Sequence, residues 1–558
     1  MRGILNRRIL LGAMALGVAA LPAEASRNAT FRPVLLPDES CLVLQPGETP
    51  PDAARQAGPV LVDGLGYAGL EPDSDIEQAR IWFAQGVRLV WAFDEAEAVR
   101  AFQEAQRLDP ACALCIFGEA WARGPTINLQ PRTQELAAAR TAARRAAALA
   151  REKATSPRDR ALLDGMLIRT REGDAFANAA YADHMEAAAQ RLPDDDTLAI
   201  MAADARMVAS RSMRPGSLSQ RLLERVLARN PDHGGAIHFY IHLTDWIDRQ
   251  ALAEPHADRL ARIAPAASHL VHMPSHTFYG VGRYGDATAV NVAAVAADRA
   301  FIRRVNPPPT DYRRGLNTHN MHFAIESALA RGDGVTALAM SREYRTDYLT
   351  ETASSTVRLL GSATWYSQGL HAPIDEVLAI AEPERPFEKA MRHYARGEAL
   401  ARRGDAAAIR AEAAAIAAIR GGSDAPALGR GGAVLAEVLQ NVLEGRAAML
   451  AGNPAAAEAA YRRAMGAQLG ARFGNDPPLY WYSVRRSVGA ALLAAGDHRR
   501  AKAQLETSLE RWPNDPLALY ALSQAERAMG NGEAADRLLA RARSIWAGDL
   551  AAIPLALI

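Results

Sequence analysis

The chain has 558 residues, and 64 basic against 63 acidic side chains leave a formal net charge of +1. So even a balance argues against a broad nucleic-acid footprint, which needs a basic face or stripe. Three cysteines (Cys41, Cys112, Cys115) are too few for a disulfide-stapled fold, and a chain this long needs no staples.

Alanine, leucine, arginine and glutamate dominate, and alternating β-branched runs are few, which favours an all-α protein. Residues 1–25 have the form of an export signal: Arg2, Arg7 and Arg8, then an apolar run from Ile9 to Leu21, then Ala23-Glu-Ala25 as a cleavage site. The run is short for a membrane anchor, the rival reading. Arg7-Arg8 before Ile9-Leu-Leu11 also resembles a twin-arginine signal. No later apolar stretch is long enough to span a bilayer, so after cleavage the protein is expected in the periplasm or secreted, without a membrane span.

Residues 26–75 are rich in proline and glycine and read as an extended segment lying on the first repeats. From residue 79, Trp82, Gly86, Ala98, Phe102, Ala105 and Pro110 match the 34-residue tetratricopeptide pattern. There, small residues sit where two antiparallel helices touch, and proline closes the second helix. A second repeat begins near residue 113. Residues 132–152 read as an alanine- and arginine-rich helix, and 158–191 as further helices with Tyr181 and Leu192 on apolar faces. Pro231 and Pro265 each close a repeat, 34 residues apart, and Gly282-Arg-Tyr-Gly-Asp-Ala287 is an inter-helix turn.

This first array spans residues 76–301. Pro307, Pro308 and Pro309 then make residues 302–317 a loop or lid. Central helices over 318–420 resume the repeat, and residues 421–432 read as a flexible break. A C-terminal array with an apolar cap fills 433–558. Gly332-Asp333, Gly404-Asp405, Gly452-Asn453, Gly496-Asp497 and Gly530-Asn531 mark its turns and those before it. The expected fold is an all-α tetratricopeptide solenoid, a right-handed superhelix of helix pairs with a concave groove.

The chemistry-bearing residues fall in that register. Nine of the thirteen histidines lie between residues 233 and 322. His238 and His242 recur 34 residues later as His272 and His276. With Gly234, Ser268 and Thr318 as first residues of three repeats, position 5 is His238, His272 and His322. Position 9 is His242, His276 and Glu326, and position 2 is Gly235, His269 and His319. These positions share one helix face, the face that lines the groove. Helices 8–10 Å apart bring imidazoles within reach of a shared ion.

His238, His242, His272 and His276 are therefore the expected core ligands. His269, His319, His322 and Glu326 complete the site or orient it, for one ion or two. The ion is copper, iron or zinc, and Met273 would lean the choice toward copper. Pro274 should kink its helix beside the site. His233 and His256 fall off this face and read as structural. The competing reading makes each histidine a hydrogen-bonded groove residue.

Other candidates stand beside these. Cys112-Ala-Leu-Cys115 opens a helix, lacks a second cysteine pair and lacks a following histidine. It is a local disulfide, or one member pairs with Cys41, or both are small buried residues. Tyr279, Tyr240 and Asp245 lie near the histidine face and would contact a substrate, or else pack. Arg486, in Trp481-Tyr-Ser-Val-Arg-Arg486, falls at position 5 of its repeat, where it would hold a carboxylate or phosphate, or simply be solvated.

Gly124-Pro-Thr-Ile-Asn128, Phe239-Tyr-Ile-His242, His272-Met-Pro-Ser-His276 and Trp481-Tyr-Ser-Val-Arg485 together resemble stretches of a family of bacterial tetratricopeptide-repeat proteins, many of them exported. The likeness spans roughly residues 60 to 540, and its most specific part is His-Met-Pro-Ser-His. It departs at Thr126, Gly234 and Ser483-Val484. The resemblance implies the fold and the histidine site and implies no particular reaction. The expected function is an exported metalloprotein with a histidine-held transition metal in its groove. If catalytic, it is a metal-dependent oxidoreductase rather than a hydrolase, acting on a small molecule or peptide bound there. The alternative is a non-catalytic scaffold that holds a peptide or protein partner in the groove.

Overall fold

The helices form where the repeat pattern puts them, and small residues explain how they pair. In a computed structural model, which describes residues 58–558 except 131, 132, 154, 309 and 472–475 and only the backbone of 311 and 471, helices Glu77–Trp91 and Glu95–Leu108 open the array. The Phe102 ring fills the space that Gly86 and Gly118 leave, and a methyl group at either glycine would overlap it. The expected export signal, residues 26–57 and Cys41 lie outside the described residues.

Antiparallel pairs follow in order, among them Asp196–Ala209 with Leu218–Arg229 and Gly234–Trp246 with Glu254–Ile263. Next come Ser268–His272 and Pro274–Gly280 with Tyr284–Val305, and Asp311–Ala330 with Gly334–Asp347. Further pairs run to Gly532–Ile545. Among the described residues there is no strand, and the architecture is an all-α solenoid of tetratricopeptide type. No described helix is long and apolar enough to cross a membrane.

Caps and turns set the register. Asp333, Asp405 and Asp497 each accept from the N–H three residues on, satisfying a first-turn donor. The inter-helix turn needs a left-handed residue, supplied by glycine at Gly282 and Gly332. Phe93 takes that conformation in the first repeat, with φ 55°. Proline breaks the helix between His272 and Pro274, as expected of a residue that lacks the N–H.

The described part of residues 26–75 is non-helical and runs against the early repeats. The Trp91 indole donates to the Ala68 carbonyl at 2.8 Å, Thr197 to that of Gly69 at 2.8 Å, and the Ala266 N–H to that of Gly64 at 3.0 Å. Two expected breaks are narrower than their sequence suggests. Residues 302–305 and 311–317 are helical, so the break falls between Val305 and Asp311; proline forbids helix only at and just before itself. Residues 421–432 hold a short turn of helix at Ala425–Leu428 and the start of helix Gly429–Leu450. Glycines there serve as helix ends rather than as a linker.

The array also folds back on itself. Tyr284 donates to the Pro513 carbonyl at 3.1 Å, Asn514 to that of Val281 at 3.1 Å, and the Ala547 N–H to that of Arg331 at 2.7 Å. The Tyr366 hydroxyl reaches the Leu479 carbonyl at 2.7 Å. The C-terminal repeats thus cover the turns and groove of the middle repeats. Gly282 packs directly on the Pro513 carbonyl, where a methyl group would collide with backbone, and its φ is +76°. Gly282→Ala is expected to lower stability by about 3 kcal/mol in chemical denaturation, from strain and collision together.

Candidate metal centre

The first helices of three consecutive repeats carry the histidines to one place. Their ligating atoms form two groups, each within 4.8 Å: His238, His242 and His269, then His272, His276 and His319. Both groups follow one rule: positions 5 and 9 of one repeat plus position 2 of the next. All six side chains are buried. The groups adjoin, with ring centroids 5.8 Å apart for His269 and His272 and 5.9 Å for His242 and His276. A phenylalanine covers each: Phe93 lies against the rings of His238 and His269 at 4.4 and 5.2 Å, and Phe323 against those of His272, His276 and His319 at 5.2, 4.8 and 5.1 Å.

In the first group, His238 Nε2 stands 3.0 Å from His242 Nε2 and 3.1 Å from His269 Nε2. His238 Nδ1 lies 2.7 Å from the Trp91 carbonyl, which only accepts, so that nitrogen carries the proton and Nε2 presents a lone pair. In the second group, His272 Nε2 and His276 Nε2 are 3.0 Å apart. The Asn291 amide nitrogen donates to the Ala287 carbonyl, which leaves Asn291 Oδ1 to accept from His272 Nδ1 at 2.6 Å. His276 Nδ1 donates to Asp476 at 3.0 Å.

Two Nε2 lone pairs therefore point at each other at 3.0 Å. Something positive must lie between them, either a metal ion or a second proton on His276. Two nitrogens on one tetrahedral ion, each about 2.05 Å from it, stand about 3.3 Å apart, close to the separations observed. The carbonyl, amide and carboxylate behind the rings are the partners that orient ligating imidazoles.

Electrostatics separates the two groups. Burial holds His238 down to about 3 and His319 to about 4, and pushes His242, His269 and His272 well below the ordinary range. All five are neutral at pH 7, as ligation requires. His276 moves the other way: burial would lower it, but the charge and hydrogen bond of Asp476, with Asp245 beyond, outweigh burial and raise it. Asp476 also stands 3.5 Å from His319 Nε2, so a carboxylate serves the second group.

The remaining expected site residues divide. His322 and Glu326 are buried and form their own pair, Nε2 to Oε1 at 3.2 Å, outside both groups. The rule explains this, because the third repeat contributes its position 2, His319, to the group behind it. Tyr279 is buried with no hydrogen-bond partner for its hydroxyl, faces the Glu326 charge, and is not in either group. Asp245 accepts from Gln250 at 2.9 Å and stands 3.9 Å from His276 Nδ1, and burial pushes its carboxyl up to about 6. Tyr240 donates to Glu224 at 3.0 Å and lies edge-on to His256, outside both histidine groups. Met273 is a core residue, because position 6 faces away from the groove.

Arg486 does not face a ligand. It is 1% exposed, Nη1 donates to both oxygens of Asp515 at 3.0 and 2.9 Å, and its guanidinium lies 4.0 Å from the Tyr482 ring centroid. Asp515 also caps helix Pro516–Ala528, so the pair ties two repeats together. Arg486→Met is expected to lower stability by about 3–5 kcal/mol, leaving Asp515 buried without its partner, while metal content stays at the native level. Cys112 and Cys115 are joined in a disulfide at the start of helix Ala113–Ala122. Sequence reasoning missed Asp476, Asn291, the Trp91 carbonyl and the two phenylalanines. Only Asn291 carries a local signal, a lone buried polar residue on an apolar helix face.

No family model matches the chain, and no curated protein matches it. Among solved structures, the human IFIT1 dimer with m7Gppp-AAAA is similar at 12% identity, over 85% of this chain and 92% of that one, with a TM-score of 0.28. The P58(IPK) TPR domain is similar at 13% identity, over 82% of this chain and 99% of that one, with a TM-score of 0.22. Likenesses this distant carry no argument about function.

Proposed function

We propose that this is an exported, periplasmic or secreted metalloprotein. Its closed solenoid holds two transition-metal ions side by side, one on His238, His242 and His269, the other on His272, His276 and His319. The observation that carries the reading is the convergence, in each group, of three buried imidazoles whose ligating atoms lie within 4.8 Å of one another. The first group repeats the positions one repeat earlier, with His238 oriented by the Trp91 carbonyl.

Copper is the favoured metal. Imidazole sets suit copper, zinc and iron, but the first group offers only neutral imidazoles, which disfavours high charge there, and reduced copper carries a single positive charge. A bound copper pair would supply electron exchange with a substrate or oxygen, which makes oxidoreduction the favoured activity. The chain's own residues exclude water, through Phe93 and Phe323. They orient the rings, through Trp91, Asn291 and Asp476, and hold a proton at His276 Nδ1 for the Asp476 carboxylate.

A solenoid of this type equally supports a binding role. A peptide lying along the groove at this point would need solvent-facing imidazoles spaced by the repeat. Here they converge and are buried, which favours the metal. Elemental analysis of protein purified from the periplasm is expected to find close to two equivalents of copper per chain. A protein that carries no metal and takes up none on reconstitution would leave the scaffold reading.

A further inference from the structure

A cleft opens beside the first histidine group, and both His269 and Phe93 line it. Phe301 and Pro308 give it an apolar wall. Asp94, Glu97 and Asp298 contribute carboxylates, Glu97 already paired with Arg100 at 3.0 Å, Glu95 is held up to about 8 by burial, and one cation, Arg313, lines the cleft. That cation is committed, with Nη1 on Asp298 Oδ1 at 3.2 Å, Nη2 on Asp94, and the guanidinium 4.9 Å from the Phe301 ring centroid.

What remains is acceptors. Asp298 Oδ2 and Asn317 Oδ1 are buried without a hydrogen-bond partner, on side chains 4% and 5% exposed. The Asn317 amide nitrogen donates to the Tyr348 hydroxyl at 2.5 Å, which leaves Oδ1 as the acceptor. Buried acceptors left unpaired are costly, and carboxylates in an apolar wall are costlier still. A ligand with several donors and a positive charge relieves both; an ammonium has three donors and no acceptor. The raised carboxyls agree: burial holds Asp298 above its ordinary range and Glu95 up to about 8, and a bound cation would bring both down.

We propose that this cleft binds a primary amine carried on an apolar or aromatic body, its ammonium held by Asp298 and Asn317 and its body lying along Phe301 and Phe93 toward His269. The inference rests on the metal-centre reading for its sense, since it names the substrate class of that centre. It rests on the cleft alone for its chemistry. Phe93, in a conformation that most side chains avoid, lines the cleft beside His269 and lies against the rings of His238 and His269, so it sets how a substrate approaches them.

The test is calorimetric titration of the full chain, metal-free and metal-loaded, with phenethylamine, 2-phenylethanol and phenylacetate. Phenethylamine should bind at least tenfold more tightly than the alcohol, with no binding of the acid. Asp298→Asn should weaken the amine at least tenfold. Asn317→Asp adds a charge without touching the Arg313 pairs and should tighten it about fivefold, so the proposal remains testable if Asp298→Asn loosens the fold. Equal binding of amine and alcohol, or no gain from Asn317→Asp, overturns it. Metal content measured on the same samples separates the two readings: amine selectivity without metal uptake removes only the metal centre, and metal uptake without amine selectivity removes only the cleft.

Discussion

His272→Ala/His276→Ala is expected to lose one of the two bound ions and keep the other. The two substitutions leave His319 as the only imidazole of its group, with Asp476 behind an empty space, while His238, His242 and His269 keep their separations. His238→Ala/His242→Ala should do the converse. Removing a partner that merely orients a ligand lowers metal affinity about 10–100-fold, which is the loss expected for Asn291→Ala or Asp476→Asn. Removing two ligands should exceed that range, at about 1,000-fold or more, so the emptied group stays empty at stoichiometric metal. Elemental analysis of the folded variants, with circular dichroism to confirm the helices, reads the result. Loss of both ions from either double variant would mean a single shared site, and loss of neither would mean that these histidines do not bind metal.

Acid should destabilise the metal-free protein far more than its overall charge suggests. Five buried histidines (His238, His242, His269, His272 and His319) have folded-state values held below their ordinary one. An unfolded chain protonates each near pH 6.5, while the folded chain does not, so stability is present above that pH and is lost as pH falls below it. Each group contributes about 1.4 kcal/mol per pH unit below 6.5, so the five together lose about 6 kcal/mol between pH 7 and 5.5, and the carboxyls of Glu95, Asp204 and Asp245, which burial pushes up to about 8, 7 and 6, return part of it. His276 is raised, so its contribution is present below about pH 6.5 and is lost as pH rises through its folded value. It therefore offsets a small part of this loss. Chemical denaturation of metal-free protein at the two pH values measures it. Pre-bound metal should hold the rings neutral to lower pH, and flat stability across this range in metal-free protein would contradict the burial of the rings.

Much of this site was legible because its rule is local. A 34-residue period and the face shared by positions 2, 5 and 9 bring out six of the eight expected ligands without any long-range contact. What the period could not supply is the boundary between groups. It places His322 and Glu326 in the same register as the grouped histidines, and only the offset of position 2 to the preceding group leaves them out. Asp476 was hidden because it arrives from about 200 residues further along, through the closure of the C-terminal repeats over the groove. Arg486 misled for the same kind of reason. Its position faces the groove in its own repeat, but Asp515, the cap of the next helix, claims it. The proline loop is shorter than its three prolines suggest, because each constrains only its own turn rather than the whole segment.

The most direct measurement is anomalous diffraction at the copper edge from crystals of the metal-loaded protein. Two peaks are predicted, one among the Nε2 atoms of His238, His242 and His269 and one within the group of His272, His276 and His319. A single peak between the groups, peaks elsewhere, or His272 and His276 still in direct contact at full metal loading would contradict the account.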